Sequence, residues 1–177
     1  MNPKETQENV QNECIRKATP ADAFAITKIN YDARRHNYKD IAPQEFLDTL
    51  DFQDKLKSTQ ERFKRWTSVI YVKEIDGKVV GFIGWWLPFD KNVPYDAEIY
   101  SIYIDPAIQG KGVGKELMHT IMNDDFFKDK KSFYLWTLEE NPQSRGFYEK
   151  LWGKVFGTKE HTIGNERHNL VWYYRQK

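Results

Sequence analysis

The residues with the plainest chemical purpose are QGKGVG at 109–114, where glycines alternate with other residues just ahead of an apolar pattern of helical spacing. Glycine turns through backbone conformations that other residues avoid and brings amide groups close to a ligand with no Cβ in the way. The first turn of the following helix adds unpaired N–H donors and the positive end of its dipole. Gln109, Gly110, Lys111, Gly112, Val113 and Gly114, with Lys115 beside them, therefore make an anion cradle whose natural guest is a pyrophosphate. Two other phosphate loops do not fit. A Walker loop needs glycine where Gln109 stands and Ser or Thr where Glu116 stands. A dinucleotide fingerprint needs G-x-G-x-x-G, whereas the glycines here are Gly110, Gly112 and Gly114, with no early strand feeding the turn. No metal is expected: His36, His119, His161 and His168 lack ligand spacing, and the one cysteine, Cys14, adds nothing.

The elements that must hold this cradle follow from periodicity. Residues 1–13 are polar and short of apolar anchors, which predicts a disordered tail ahead of a single domain over 14–177. CIRKA reads as a first strand. Thr19, Pro20 and Asp22 open a helix in which Ala23, Ile26, Ile29 and Ala33 recur at helical spacing. Phe46, Leu47 and Leu50 predict a short second helix, and Phe52, Leu56 and Phe63 a third that ends near Trp66. Two β-rich runs flank Asp76-Gly77, a strong hairpin signal. AEIYSIYI at 97–104 is a further strand running straight into the glycines. Val113, Leu117 and Ile121 form the stripe of the next helix. SFYLWTL is a strand, NPQSRGFYEKLWG a helix opened by Asn141 and Pro142, and the remainder a closing hairpin in which His161 and His168 face each other. Strand, helices, three strands, helix, strand, helix and two strands make an α/β sheet covered by helices.

Composition narrows the setting. Lys plus Arg number 27 against 26 Asp plus Glu, a formal charge of +1, which gives no global drive toward nucleic acid. No apolar run approaches the roughly 20 residues that span a bilayer, and the N-terminus carries no apolar signal segment. A cytoplasmic protein with no membrane or nucleic-acid partner is expected.

The pattern from 109 to 114 resembles the Q/R-x-x-G-x-G/A signature of the GNAT superfamily of acyl-CoA-dependent N-acetyltransferases, with Asp105-Pro106 where that family often has a proline. NPQSRGFYEKL resembles its second motif, and the likeness extends from IRKATPAD to about residue 175. Trp152 departs from the family, standing where many relatives have glycine, so Gly153 is expected to stop the helix. The resemblance implies a mixed, mostly antiparallel sheet flanked by helices, with a splayed strand pair forming a slot for coenzyme A. It implies acetyl-CoA as co-substrate, its pyrophosphate on residues 109–114 and its pantetheine arm along Ile102, Tyr103 and Ile104. Tyr148 matches the family's tyrosine near the sulfur, where it would act as acid. Glu98 stands where relatives often carry a carboxylate and would act as base through a water. Asn141 and Ser144 are candidate cofactor contacts, with helix capping as the plainer role of Asn141. Phe147 is expected in the core, leaving Tyr148 to face the slot.

For the acceptor, Tyr31 and RRHNYKDIAP occupy the region where such enzymes vary most. Trp85, Trp86 and Trp136 are candidates to line a pocket, against a plainer role in sheet packing. An amine-bearing small molecule is the leading acceptor. A protein amine and a non-catalytic acyl-CoA sensor are the competing readings, and the family leaves a homodimer open.

Overall fold

The computed structural model describes residues 12–65, 68–152 and 154–176. Its seven strands form one sheet in the order β1-β2-β3-β4-β5-β7-β6. They are β1 (Glu13–Lys17), β2 (Val69–Ile75), β3 (Lys78–Trp86), β4 (Ala97–Ile104), β5 (Ser132–Leu138), β6 (Gly157–Ile163) and β7 (Glu166–Gln176). Neighbours run antiparallel except β4 and β5, which are parallel. The helices are α1 (Ala23–Tyr38), α2 (Gln44–Asp48), α3 (Phe52–Arg65), α4 (Val113–Met122), α5 (Asp125–Lys128) and α6 (Pro142–Trp152). The expected element order is therefore present, with β1 beginning at Glu13. The rest of the expected tail, apart from Asn12, lies outside the described residues, as do Trp66 and Gly153.

Two elements differ from the sequence reading. A 3₁₀ turn, Pro20–Asp22, precedes α1, and Thr19 and Asp22 form a capping box at its start, the Asp22 carboxylate accepting from the Thr19 N–H at 2.7 Å. The short α5 was not expected, because one turn shows no periodicity. Asp124 creates it by accepting from the N–H groups of Phe126 and Phe127.

Strand alternation sorts side chains between two cores. Ile83 and Trp85 of β3 and Tyr71 of β2 join Leu117 and Ile121 of α4, Phe127 of α5 and Tyr148 of α6 on one face. Phe82, Ile70 and Val72 meet Ile26 and Ile29 of α1 on the other. Each aliphatic side chain fully removed from water contributes about 1.5–3 kcal/mol, so these stripes fix which face each helix covers. Among the described residues no helix is long and apolar enough to cross a membrane.

β4 departs from strict alternation. Ala97 and Ile99 face the α4 core, and so do Ile102 and Ile104, although 99 and 102 differ in parity. The register explains it: Ile99 pairs with Trp85 and Ser101 with Gly84, leaving Tyr100 as an extra residue. Such a bulge bends a strand and increases its local twist.

Candidate active site

The bulge is followed by a parting of strands. β4 pairs with β5 at Ala97↔Phe133 and Glu98↔Tyr134, and at no later position. From residue 99 onward the β5-facing edge of β4 is free of strand pairing, and β5 turns its other edge to β7 through Leu138. A strand edge inside a sheet needs partners for its N–H and C=O groups. An extended ligand that carries amides can supply them as an added strand would. Ile102, Tyr103 and Ile104 lie on this edge, each half-buried.

β4 delivers the chain into the glycine loop. Gly110 has φ +82° and Gly112 φ +91°, left-handed values that side chains rarely adopt. An added Cβ at either would meet nothing within 4 Å, so glycine is required here by backbone conformation and not by crowding. Among the described residues the N–H groups of 110–114 find no main-chain acceptor; the first to do so is Lys115, bonded to the Gly112 carbonyl at 2.9 Å. Bare donors at a helix start are the chemistry a diphosphate needs. Lys111 and Lys115 are exposed beside them. Gln109 is a strut: its amide donates to the Ile104 carbonyl at 3.1 Å and its oxygen accepts from Gln143 of α6 at 2.9 Å. Val113 and Gly114 are buried, and a Cβ on Gly114 would lie 3.1 Å from Ile104 and 3.3 Å from Phe147. Gly114 therefore seats α4 against β4 and α6.

α6 carries Tyr148. Asn141 caps this helix, its Oδ1 accepting from the Ser144 N–H at 3.0 Å, so its plainer role is realised. Phe147 packs against the core as expected, but Tyr148 joins that core too and does not stand open beside it. Tyr148 is the more buried, at 6% exposure, stacked on Trp152 and packed against Tyr173, while Phe147 is half-buried against Gly114. Burial pushes the Tyr148 phenol well up, and the neighbouring phenols of Tyr103 and Tyr173 push it further. Tyr38, at the end of α1, feels Tyr103 most strongly and Tyr148 as well. Tyr103 packs with the α1 core and Tyr148 with the α4 core.

Glu98 sits where β4 and β5 are still paired. Its carboxylate accepts from the Tyr134 hydroxyl at 2.8 Å and from the Phe89 N–H at 3.1 Å. Trp136 is half-buried on the same face of β5 as Tyr134, beside Trp172 at 5.9 Å and under the Lys159 ammonium. Trp85 is on the opposite face at 3% exposure, edge-on to Phe127 at 5.0 Å. Its place as an acceptor wall is corrected to a core residue, for the parity of β3 aims it at α5. Tyr31 packs edge-on against Phe52 at 5.8 Å, in the contact between α1 and α3.

The sequence reading missed a cavity of about 290 Å³ between α1, α3 and the sheet. Asn30 and Arg34 of α1, Lys55 and Arg62 of α3, and Tyr100, Ser101 and Tyr103 of β4 line it. The signal was present. Asn30 and Arg34 continue the stripe begun by Ile26 at intervals of four, and polar residues on an apolar stripe mark either a satisfied core group or a site. The bulge, which turns Tyr100 and Ser101 into the cavity, leaves no mark in the sequence.

Comparison with known proteins bears on the family and the fold. Residues 28–153 match the model of the acetyltransferase (GNAT) family. An uncharacterized N-acetyltransferase, YuaI, of Bacillus subtilis is 28% identical over 131 residues, 72% of this chain and 73% of that protein. The L-methionine sulfoximine/L-methionine sulfone acetyltransferase of Salmonella typhimurium is 33% identical over 112 residues, 62% of this chain and 61% of that protein. The solved structure of YncA, a putative acetyltransferase from Salmonella typhimurium with its cofactor acetyl-CoA, superposes with a TM-score of 0.70 at 24% identity, covering 93% of this chain and 94% of that one. Bare amides at a helix start and a parted strand pair are thus found in a chain that belongs to the acetyltransferase (GNAT) family.

Proposed function

We propose that the protein transfers the acetyl group of acetyl-CoA to the primary amine of a small molecule by direct attack. The observation that carries this is the continuity of the unpaired β4 edge with the bare amides of 110–114. One end suits an amide-bearing arm and the other a diphosphate, and both belong to coenzyme A. The YncA structure, solved with its cofactor acetyl-CoA, supports the same ligand.

The amine attacks the thioester carbonyl, the C–N bond forms, and the C–S bond breaks. A primary amine with a pKa near 10.4 is about one part in 10³ free base at pH 7, a cost of roughly 4–5 kcal/mol. Glu98 is the group assigned to take the amine proton through a water, since its face of β4, opposite Ala97 and Ile99, is the one that looks toward the cavity. The leaving sulfur has a reference thiol pKa of about 8.5 and gains from a hydrogen donor. Tyr148 is assigned that part as a hydrogen-bond donor to the departing sulfur, because a phenol is protonated at neutral pH. An N–H of β4 near Ile102, on the unpaired edge, is assigned to the developing oxyanion.

The acceptor follows from shape. A cavity of about 290 Å³ walled by two helices suits a small molecule better than a polypeptide. The Salmonella relative, named for methionine sulfoximine and methionine sulfone, supports the same class. The exposed free thiol of Cys14 accords with a reducing, cytoplasmic setting.

Thiol release from acetyl-CoA in the presence of a panel of amines tests the reading. With the best acceptor, Tyr148→Phe is expected to lower kcat by about 10²-fold while leaving acetyl-CoA affinity within about twofold. Equal turnover by the two proteins removes Tyr148 from the chemistry.

A further inference from the structure

The cavity between α1 and α3 gathers positive charge without an anion of its own. Arg34, Lys55 and Arg62 all line it. Among the described residues none of the three forms an ion pair with a carboxylate. The guanidinium of Arg34 lies over the Tyr38 ring at 5.8 Å and that of Arg62 over the Tyr100 ring at 4.7 Å, contacts that aim both groups without neutralising them. Burial holds the Lys55 amine below its ordinary value, and the charges of Arg34 and Arg62 lower it further. Three cations sharing one enclosure repel one another, and a bound anion relieves that repulsion.

Polar atoms around the same space point the same way. Arg34 Nε, Tyr100 OH, Ser101 Oγ and Asn30 Oδ1 are buried and have no hydrogen-bond partner, and Asn30 is only 7% exposed. Buried polar atoms in native structures are nearly always paired, and each exception asks for an explanation. Three of these four can donate and so suit an oxyanion. Asn30 Oδ1 can only accept, and so suits an N–H. Tyr100 and Ser101 belong to the bulge of β4, and Tyr103, two residues or roughly 7 Å beyond Ser101 along the strand, lines the same cavity on the stretch of β4 that β5 no longer pairs. The cavity is thus continuous with the strand that carries the proposed thioester slot.

From this juxtaposition we infer that the acceptor is an amine that also bears a carboxylate, an amino acid or a molecule of that design, with its carboxylate seated among Arg34, Lys55 and Arg62 and its amine directed along β4 toward the slot. The inference rests on the acetyl-transfer reading and narrows its substrate class. Protein amines fit poorly, because a lysine side chain brings no carboxylate with it.

The test is a panel of amino acids, each assayed beside its primary amide and its decarboxylated amine at saturating acetyl-CoA. The amino acid is expected to exceed both partners in kcat/KM by about 100-fold, the scale on which a buried charge contact is lost. Arg34→Gln and Arg62→Gln should each erode that preference by at least about tenfold through KM, with acetyl-CoA affinity, read by calorimetry, marking the variants as folded. Equal use of the amide or the decarboxylated amine overturns the inference and leaves the acetyl-transfer reading standing. If no amine is turned over, calorimetry with the N-acetylated amino acid and its amide decides. Heat from the carboxylate alone upholds the anion site while retiring the transfer reading, and heat from neither, or equally from both, overturns the site.

Discussion

At Gly84 the missing side chain is a matter of space. A Cβ there would lie 2.6 Å from Cζ of Tyr100 and 2.9 Å from Oγ of Ser101. The phenol of the bulged residue lies over β3 only because Gly84 leaves room for it. Gly84→Ala is expected to displace Tyr100 into the cavity, destabilise the protein by about 1–3 kcal/mol and raise the KM of the acceptor more than that of acetyl-CoA. Urea unfolding and steady-state kinetics read the two effects, and a fully active, equally stable alanine variant would show that the bulge does not depend on this contact. Gly112 differs, for its φ of +91° is the constraint and the space around it is open. This contrast bears on legibility. The glycines of the cradle could be read from the sequence, since they stand at the start of a helical stripe. Gly84 could not, because its neighbour across the sheet is set by a register that only the folded chain defines. Trp85 illustrates the same limit: its adjacency to Trp86 showed that the two would face opposite sides, but not which one would face the core.

At the scale of elements, α1 is joined to the sheet by a carboxylate with two tasks. Asp22 accepts from the Thr19 N–H at the helix start and takes a two-pronged contact from Arg16 of β1, both prongs at 2.8 Å. Arg16 also reaches Glu74 of β2, so one guanidinium joins the first helix to two strands. The Arg16 hydrogen bonds hold the Asp22 carboxyl below its ordinary value, against the opposing effect of its burial. A carboxyl with a lowered folded value stabilises the protein above its unfolded pKa of about 3.9 and loses that contribution as pH falls through the folded value. Asp22→Asn is therefore expected to cost about 1.5–3 kcal/mol near pH 7, with the gap between wild type and variant closing below about pH 4. Urea titrations at several pH values measure it, and a gap that stays constant into acid would refute the charged role. The helix start was legible as T-P-A-D; the long-range partner was not, because nothing local ties residue 16 to residue 22 and residue 74. α1 and α3 were likewise legible as stripes, whereas the cationic cavity they enclose depends on how the two stripes meet.

Across the whole molecule the sheet divides the labour. The α4 face carries the helix start whose amides end the cradle, and the α1–α3 face carries the cavity. β4, which parts from β5 after Glu98, contributes residues to both faces, Ile102 and Ile104 to one and Tyr103 to the other. Acetyl donor and amine acceptor would then approach one point from opposite sides of a sheet, held apart until they meet at the strand opening. Element order and the family motif were readable from the chain because each is local. The opening itself combines a bulge, a parallel neighbour and a loop, three long-range events that single-residue patterns do not encode. The central claim is that bare amides at 110–114 and the free edge of β4 together bind acetyl-CoA, and calorimetric titration of wild type and Gly112→Val tests it most directly. Wild type is expected to give saturable one-to-one heat and a melting temperature raised by about 5–10 °C at a hundredfold excess over Kd, with affinity at least about tenfold weaker in the valine variant, whose strained backbone withdraws the amides. A wild-type protein that shows neither heat nor protection at saturating acetyl-CoA would contradict it.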